Sequence, residues 1–260
     1  MESERDQRGK TRRALIVQRV AADGFVTVAD LAREFHVSEM TIRRDGEQLE
    51  QGGAITRVRG AFRTTGRPEH GVFDYSVRSN REPGAKQKLG LAAAALIEDK
   101  QVVAIDAGTT VFQTLVNLPQ SFSGTIITHS IPAVDHLETR SHVRALVLGG
   151  ELYRPTRSMV GSDAVRAALG LRADIFFLGA ASIDERGIYG DGDTERDIKR
   201  ALIEISDRTI VMVDQKKLTS SAPICICTWD DIDTLLTDGE PPTSLRGQLE
   251  AANVEIHVVS

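Results

Sequence analysis

From Ala85 onward, short apolar runs alternate with helical patterns, and this alternation restricts the fold more than any other feature of the chain. AKQKLGLAAAALIE, TTVFQTLVN, SDAVRAALG and ERDIKRALIEIS read as helices. QVVAID, TIITHS, RALVLGG, ADIFFLGA and TIVMVDQ read as strands between them, and PICICTW, DTLLTD and VEIHVV complete the series. Buried β-runs interleaved with helices predict an α/β fold with a largely parallel sheet. The first 62 residues read differently, as short helices followed by a hairpin. Residues 63–84 are rich in Gly, Pro and polar groups without sustained periodicity, which predicts a linker. The expected organisation is a small domain at 1–62, a linker at 63–84 and a larger α/β domain at 85–260.

A chain of 260 residues is long enough for two such cores. Its net charge of −5 conceals a division: residues 1–67 carry 13 Lys and Arg against 10 Asp and Glu, the remainder 19 against 27. A mildly basic head on an acidic body allows the head alone to meet phosphate. No apolar stretch reaches the ~18 residues of a membrane span. MESERDQRGK has no apolar run, so no secretory signal and a cytoplasmic location are expected. Cys225 and Cys227 would share one face of a strand and are expected to be buried there. No further cysteine completes a zinc site, and neither a metal nor a cofactor is expected.

In the head, a helix is expected over roughly Arg8 to Ala22, with Leu15, Ile16, Val20 and Ala21 sharing an apolar face. Thr27 is placed to cap VADLAREF, whose Val28, Leu31, Ala32 and Phe35 form an inward stripe. Ser38 is a good N-cap for EMTIRRDGEQLEQ, with Ile42 and Leu49 facing inward and Gly52-Gly53 stopping the helix. Its outward side presents Glu39, Met40, Thr41, Arg43 and Arg44, residue types that contact base edges and phosphates when such a helix enters the major groove. AITRVRGAF then reads as a wing whose Arg57 and Arg59 reach the DNA backbone. The expected DNA-binding residues are Ser38, Met40, Thr41, Arg43, Arg44, Arg57 and Arg59, and the expected partner is a double-stranded operator.

VTVADLAREFHVSEMTIRRD resembles the helix-turn-helix signature of the DeoR family of bacterial regulators over twenty contiguous residues. Two departures stand out. The family usually has a leucine after RRD, where this chain has Gly46. Glycine in a helix costs ~1 kcal/mol against Ala, and a missing buried leucine roughly 1.5–3 kcal/mol more, so a looser helix is expected. At the end of the wing, Arg59-Gly60-Ala61 replaces a His-Gly-Gly-Ala-like stretch.

In the body, QVVAIDAGTTVFQTL reads as strand, tight turn and helix. Asp106 ends the strand, Gly108 frees the turn, and Thr109 and Thr110 offer hydroxyls and amides suited to phosphate. The same turn also serves as a purely structural bend. Other strand ends carry Thr128-His129-Ser130, Gly149-Gly150 and Gly179-Ala180-Ala181, and open α/β sheets bind ligands at such ends. Lys199 and Lys217 could meet anions, as could Arg154 and Arg157, although each alone reads more readily as a surface residue.

The body also resembles the DeoR-family sensor domain, related in fold to ribose-5-phosphate isomerase, through DAGTT, VLGGELYR, ADIFFLGAASID, ERDIKRALI, VDQKK and IDTLLTD. The resemblance implies a pocket for a phosphorylated sugar lined by Asp106, Gly108, Thr109, Thr110, Gly149, Gly150, Lys199, Asp214 and Lys217. His129 stands where the family often has Asn, and joins the expected set as a hydrogen-bonding, titratable group.

Three functions are compatible with these features. One is a ligand-controlled transcriptional regulator, expected to repress carbohydrate genes as a homo-oligomer with paired heads on DNA half-sites. Another is a phosphosugar isomerase with a DNA-binding head, for which Asp106, Glu195, Asp197 and Lys199 could supply acid–base groups. The third is a DNA-binding structural protein without effector. The first is the expectation: no enzyme and no catalytic residues.

Overall fold

The computed structural model describes residues 2–23, 25–58, 60–64 and 75–259. They fall into two compact units, Met1–Asn80 and Arg81–Ser260. Among the described residues, no helix is long and apolar enough to cross a membrane.

The first unit contains α1 (Glu2–Asp23), β1 (Phe25–Thr27), α2 (Val28–Glu34), α3 (Glu39–Gln51), β2 (Ile55–Val58), β3 (Ala61–Thr64) and α4 (Tyr75–Ser79). Both expected caps form: Thr27 accepts from the Asp30 amide and Ser38 from the Thr41 amide. Gly52 ends α3. The core joins Ile16, Val20, Val28, Leu31 and Ile42 to Ile55 and Phe62 of the hairpin. Leu15, expected on the inward face, is exposed, and Val17 packs against the core in its place. A helix buries residues at i, i+4 and i+1 around one stripe; the stripe centred on Ile16 and Val20 leaves Leu15 outside it. The three-residue β1 was not expected; it pairs antiparallel with β3, which puts β3 in the middle of a three-stranded sheet.

Within 63–84, β3 reaches Thr64, α4 forms, and α5 starts at Pro83, a residue whose fixed φ suits a first helical turn. Residues 65–74 of that stretch lie outside the described residues.

The second unit runs α5 (Pro83–Ala94), β4 (Val102–Ile105), α6 (Phe112–Asn117), β5 (Thr125–Thr128), α7 (Ile131–Leu137), β6 (Arg144–Val147), β7 (Glu151–Tyr153), β8 (Ser158–Val160), α8 (Ser162–Leu169), β9 (Ile175–Gly179), β10 (Ser182–Asp184), β11 (Gly187–Gly190), α9 (Arg196–Glu204), β12 (Thr209–Val213), β13 (Ile224–Cys227), β14 (Thr234–Thr237), α10 (Thr243–Ala251) and β15 (Glu255–Val258). Seven strands form one parallel sheet in the order β15-β14-β12-β9-β4-β5-β6. Alternate residues serve opposite faces. Val103, Ile105, Ile175, Phe177, Ile210 and Met212 pack with Leu89, Leu115 and Leu137. Ala104, Phe176, Leu178, Val211 and Val213 pack with Ala164, Ile198, Leu202 and Leu249. Helices on both faces explain why the inner strands are predominantly apolar.

PICICTW supplies β13, which pairs with β11 in a separate antiparallel sheet of β10, β11 and β13. The two cysteines do not share an environment: Cys225 is exposed and Cys227 buried. Desolvation pushes the Cys227 thiol up to about 12, which leaves it unreactive.

Candidate functional site

The outward face of α3 is held by an anchored inward one. Ile42 is fully buried, and beside it Asp45, also buried, accepts from Arg12 Nε at 2.6 Å and from Arg13 Nη1 at 3.4 Å. The last letter of RRD thus ties α3 to α1. On the other side Met40 is 75% exposed, and Arg43 and Arg44 are exposed. Arg43 pairs with Glu39 at 3.1 Å, one turn back. The Ser38 and Thr41 hydroxyls lie 3.0 Å apart, so the cap and the first turn form one polar unit.

Gly46 leaves no gap. A Cβ built there would lie 3.1 Å from Phe62 Cε2 and nearer still to two other ring atoms. The Phe62 ring, 1% exposed, fills the volume where the family pattern places a leucine. The part of that expectation that rested on a missing leucine is not met: α3 is continuous from Glu39 to Gln51, and β3 supplies the apolar mass from the opposite side.

Arg57 is occupied. Its backbone N–H donates to Glu50 Oε1 at 2.9 Å, its Nε to Glu50 Oε2 at 2.7 Å, and its Nη1 to Glu47 Oε1 at 2.9 Å. The backbone bond, reinforced by the side-chain bond, holds the Glu50 carboxyl below its ordinary range. Arg57 thus braces the wing against the second half of α3. Arg59 lies outside the described residues.

In the body, the ends of β4 and β9 mark the switch point of the sheet: strands β5 and β6 follow on one side of β4, β9 and its successors on the other. Asp106 follows β4 and is completely buried. Its Oδ2 accepts from the Gly179 N–H at 2.9 Å and from Lys199 Nζ. Its Oδ1 faces His129 Nε2 at 3.2 Å. Lys199, brought in by α9, also donates to the Gly179 carbonyl at 3.1 Å. Burial alone would raise the Asp106 pKa, but the Lys199 charge and the His129 contact outweigh it and hold the carboxyl far below its ordinary range. His129 Nδ1 meets the Met159 carbonyl at 3.0 Å. Both ring nitrogens thus face oxygens, one of Asp106 and one of the Met159 backbone.

The remaining expected residues lie at the same end of the sheet. Thr109 and Thr110 precede α6 and are buried; Thr110 Oγ1 has no hydrogen-bond partner among the described residues. Gly149 and Gly150 follow β6 and are exposed. Asp214 follows β12 with Lys217 Nζ 3.9 Å away. Of the two arginines after Gly149-Gly150, Arg157 pairs with Asp135 at 3.2 Å and Arg154 is exposed. Glu195 accepts from Ser158 Oγ at 2.9 Å, and the exposed Asp197 contacts Arg196 at 3.4 Å.

The β7–β8 hairpin escaped sequence reasoning. It closes over the end of β5: the Met159 amide donates to the His129 carbonyl at 2.8 Å and the Ile131 amide to the Arg157 carbonyl at 2.9 Å. Its sequence signal was the pair of glycines enclosing ELYRPTRSMV, Gly150 and Gly161, both at positive φ. The Asp45 and Arg57 ion pairs and the Phe62 seat had no local signal.

Comparison with known proteins agrees with both halves. Residues 12–65 match the DeoR-like helix-turn-helix domain and residues 81–239 the DeoR C terminal sensor domain. The uncharacterized HTH-type transcriptional regulator YgbI of Escherichia coli K12 is 31% identical over 95% of this chain and 96% of its own length. The putative aga operon transcriptional repressor of Escherichia coli O157:H7 is 32% identical over 95% of this chain and 93% of its own. The HTH-type transcriptional repressor GlcR of Bacillus subtilis is 31% identical over 90% of each chain. A head and a body that both match, together with relatives alignable over nearly the whole length, establish that this chain belongs to the DeoR family of transcriptional regulators.

Proposed function

We propose that the protein represses carbohydrate genes in the cytoplasm by binding operator DNA through α3, and that a phosphorylated sugar at the β4–β9 end of the body controls that binding. The observation that carries the DNA half is the division of α3: Ile42 and Asp45 are locked inward while Met40, Arg43 and Arg44 face solvent. Exposed arginines suit phosphates and guanine edges, and Met40 suits a thymine methyl. Ser38 and Thr41 add hydroxyls at the helix N-terminus. Arg57 acts through Glu47 and Glu50, setting the angle of the wing.

Support for the effector half comes from the chemistry around Asp106. Lys199 brings an ammonium and His129 an imidazole to one carboxylate, and Thr109, Thr110 and Lys217 add groups that favour an anion with hydroxyls. Relatives named as repressors, including that of the aga operon, support the sign of regulation.

A binding role is favoured over isomerase chemistry because the carboxylates are engaged. Asp106 has both oxygens occupied and no proton to exchange near neutral pH, and Glu195 is held by Ser158. Isomerisation of pentose or hexose phosphates by the purified protein would overturn that part.

The DNA half is tested by fluorescence anisotropy on the protein's upstream DNA over a salt series. Arg44→Ala should weaken binding and reduce the slope of log K against log salt by about one. An unchanged affinity and slope would contradict the placement of α3 on DNA.

A further inference from the structure

The seven-stranded sheet has two open edges, and they are built differently. β15, at one edge, carries Glu255 and His257; Glu255 lies 2.7 Å from His257 Nε2 and is ion-paired to Arg208. Charged side chains of this kind protect an edge from pairing with another chain. β6, at the other edge, reads Arg144-Ala145-Leu146-Val147, with one charge at its start and no proline. No strand among the described residues pairs with its outer side. Ala145 is exposed and Val147 keeps 49% of its surface. The amides of Arg144 and Leu148 donate inward, to the carbonyls of Gly124 and Thr128. Strand alternation then turns the N–H and C=O groups of Ala145 and Val147 toward the open side.

The geometry points to antiparallel pairing of β6 with β6 of a second copy of this chain, about a two-fold axis at Leu146. In that register Ala145 faces Val147 of the other copy, and each pair exchanges both main-chain bonds, as an isologous interface requires. Arg144 falls opposite Leu148, so the two arginines do not meet, and like charges across strands are avoided. The apolar pair Ala145 and Val147 is self-complementary, whereas the β15 edge would set charges against one another. A four-residue seam buries less than the ~1,200 Å² of a standard interface; the dimer is therefore concentration-dependent.

The test is sedimentation of the full-length protein over a wide concentration range, with two variants. Val147→Pro removes only the outward N–H, a place where edge strands tolerate proline. Val147→Lys leaves the main chain intact and puts a charge on the seam. The wild type should show a twofold rise in mass with concentration, and both variants should lose it while the Trp229 fluorescence melt stays in place. A wild type whose mass never rises, or variants that associate as the wild type does, would overturn the proposal. Should Val147→Pro unfold the body, Val147→Lys alone decides.

Discussion

Replacing Gly46 by alanine sets two effects of opposite sign against each other. Helix propensity alone favours the change by ~1 kcal/mol, because glycine in a helix interior carries an entropic penalty. Packing opposes it. The new Cβ would fall inside contact distance of the Phe62 ring, which is 1% exposed and wedged among Val26, Ile42 and Ile55. The ring cannot retreat easily, since β3 is paired on both sides, with β1 and β2. Overpacking of a filled core costs about 1–3 kcal/mol, so the expected net effect is a loss of about 1 kcal/mol. For a head of this size that lowers the melting temperature by ~4–8 °C. Calorimetry of the full-length protein measures the head transition, while the single tryptophan, Trp229, reports the body and should not move. The decisive comparison is Gly46→Ala made in a Phe62→Leu background. With the ring shortened, propensity should win and the same substitution should stabilise by ~1 kcal/mol. If Gly46→Ala stabilised the head with Phe62 in place, or if the two changes were additive, the Phe62 seat would not be what glycine is there to allow.

Glu50→Gln and Arg57→Ala should weaken DNA binding to a similar extent and be non-additive in combination, with no change in salt slope; anisotropy that showed Glu50→Gln strengthening binding would make Arg57 a phosphate contact instead. Asp106 makes the body acid-sensitive in a defined window. Its folded pKa is depressed, so its stabilisation is complete above the ordinary aspartate value of ~3.9 and is lost as pH falls from there through the folded value. Asp106→Asn should flatten the pH dependence of the Trp229 melt below pH ~4. Lys199→Met should abolish the response to a sugar phosphate while leaving DNA affinity within about twofold, measured by mobility shift. A thiol reagent should modify one cysteine per folded chain, Cys225, and reach Cys227 only on unfolding.

What the sequence disclosed follows from how local each signal is. The caps at Thr27 and Ser38 involve residues three apart, and both form as the pattern indicates. The parallel sheet announced itself because strands covered on both faces must be predominantly apolar. Asp106, Lys199 and His129 could each be singled out by their place at strand ends or in a matching segment. Their mutual contact could not, because Asp106 and Lys199 are 93 residues apart. Gly46 shows the same limit from the opposite direction. Its local environment reads as a missing leucine, and only the pairing of β3 with β1 and β2 reveals that Phe62 occupies the space. PICICTW was apolar enough for the main sheet, yet a register shift in β11 and pairing to the small sheet separate the two cysteines into exposed and buried sites.

In the proposed function one molecule reads DNA with its head and a phosphorylated sugar with its body, and the two are coupled. Coupling requires the ligand to favour one of two states by a difference in affinity. A mobility shift on the protein's own upstream DNA, repeated across a panel of sugar phosphates and their unphosphorylated sugars, measures this directly. The expected result is a specific shift at low salt that one phosphorylated compound abolishes and its free sugar does not. A shift that no sugar phosphate alters, or no shift even at low salt where phosphate contacts are strongest, would contradict it.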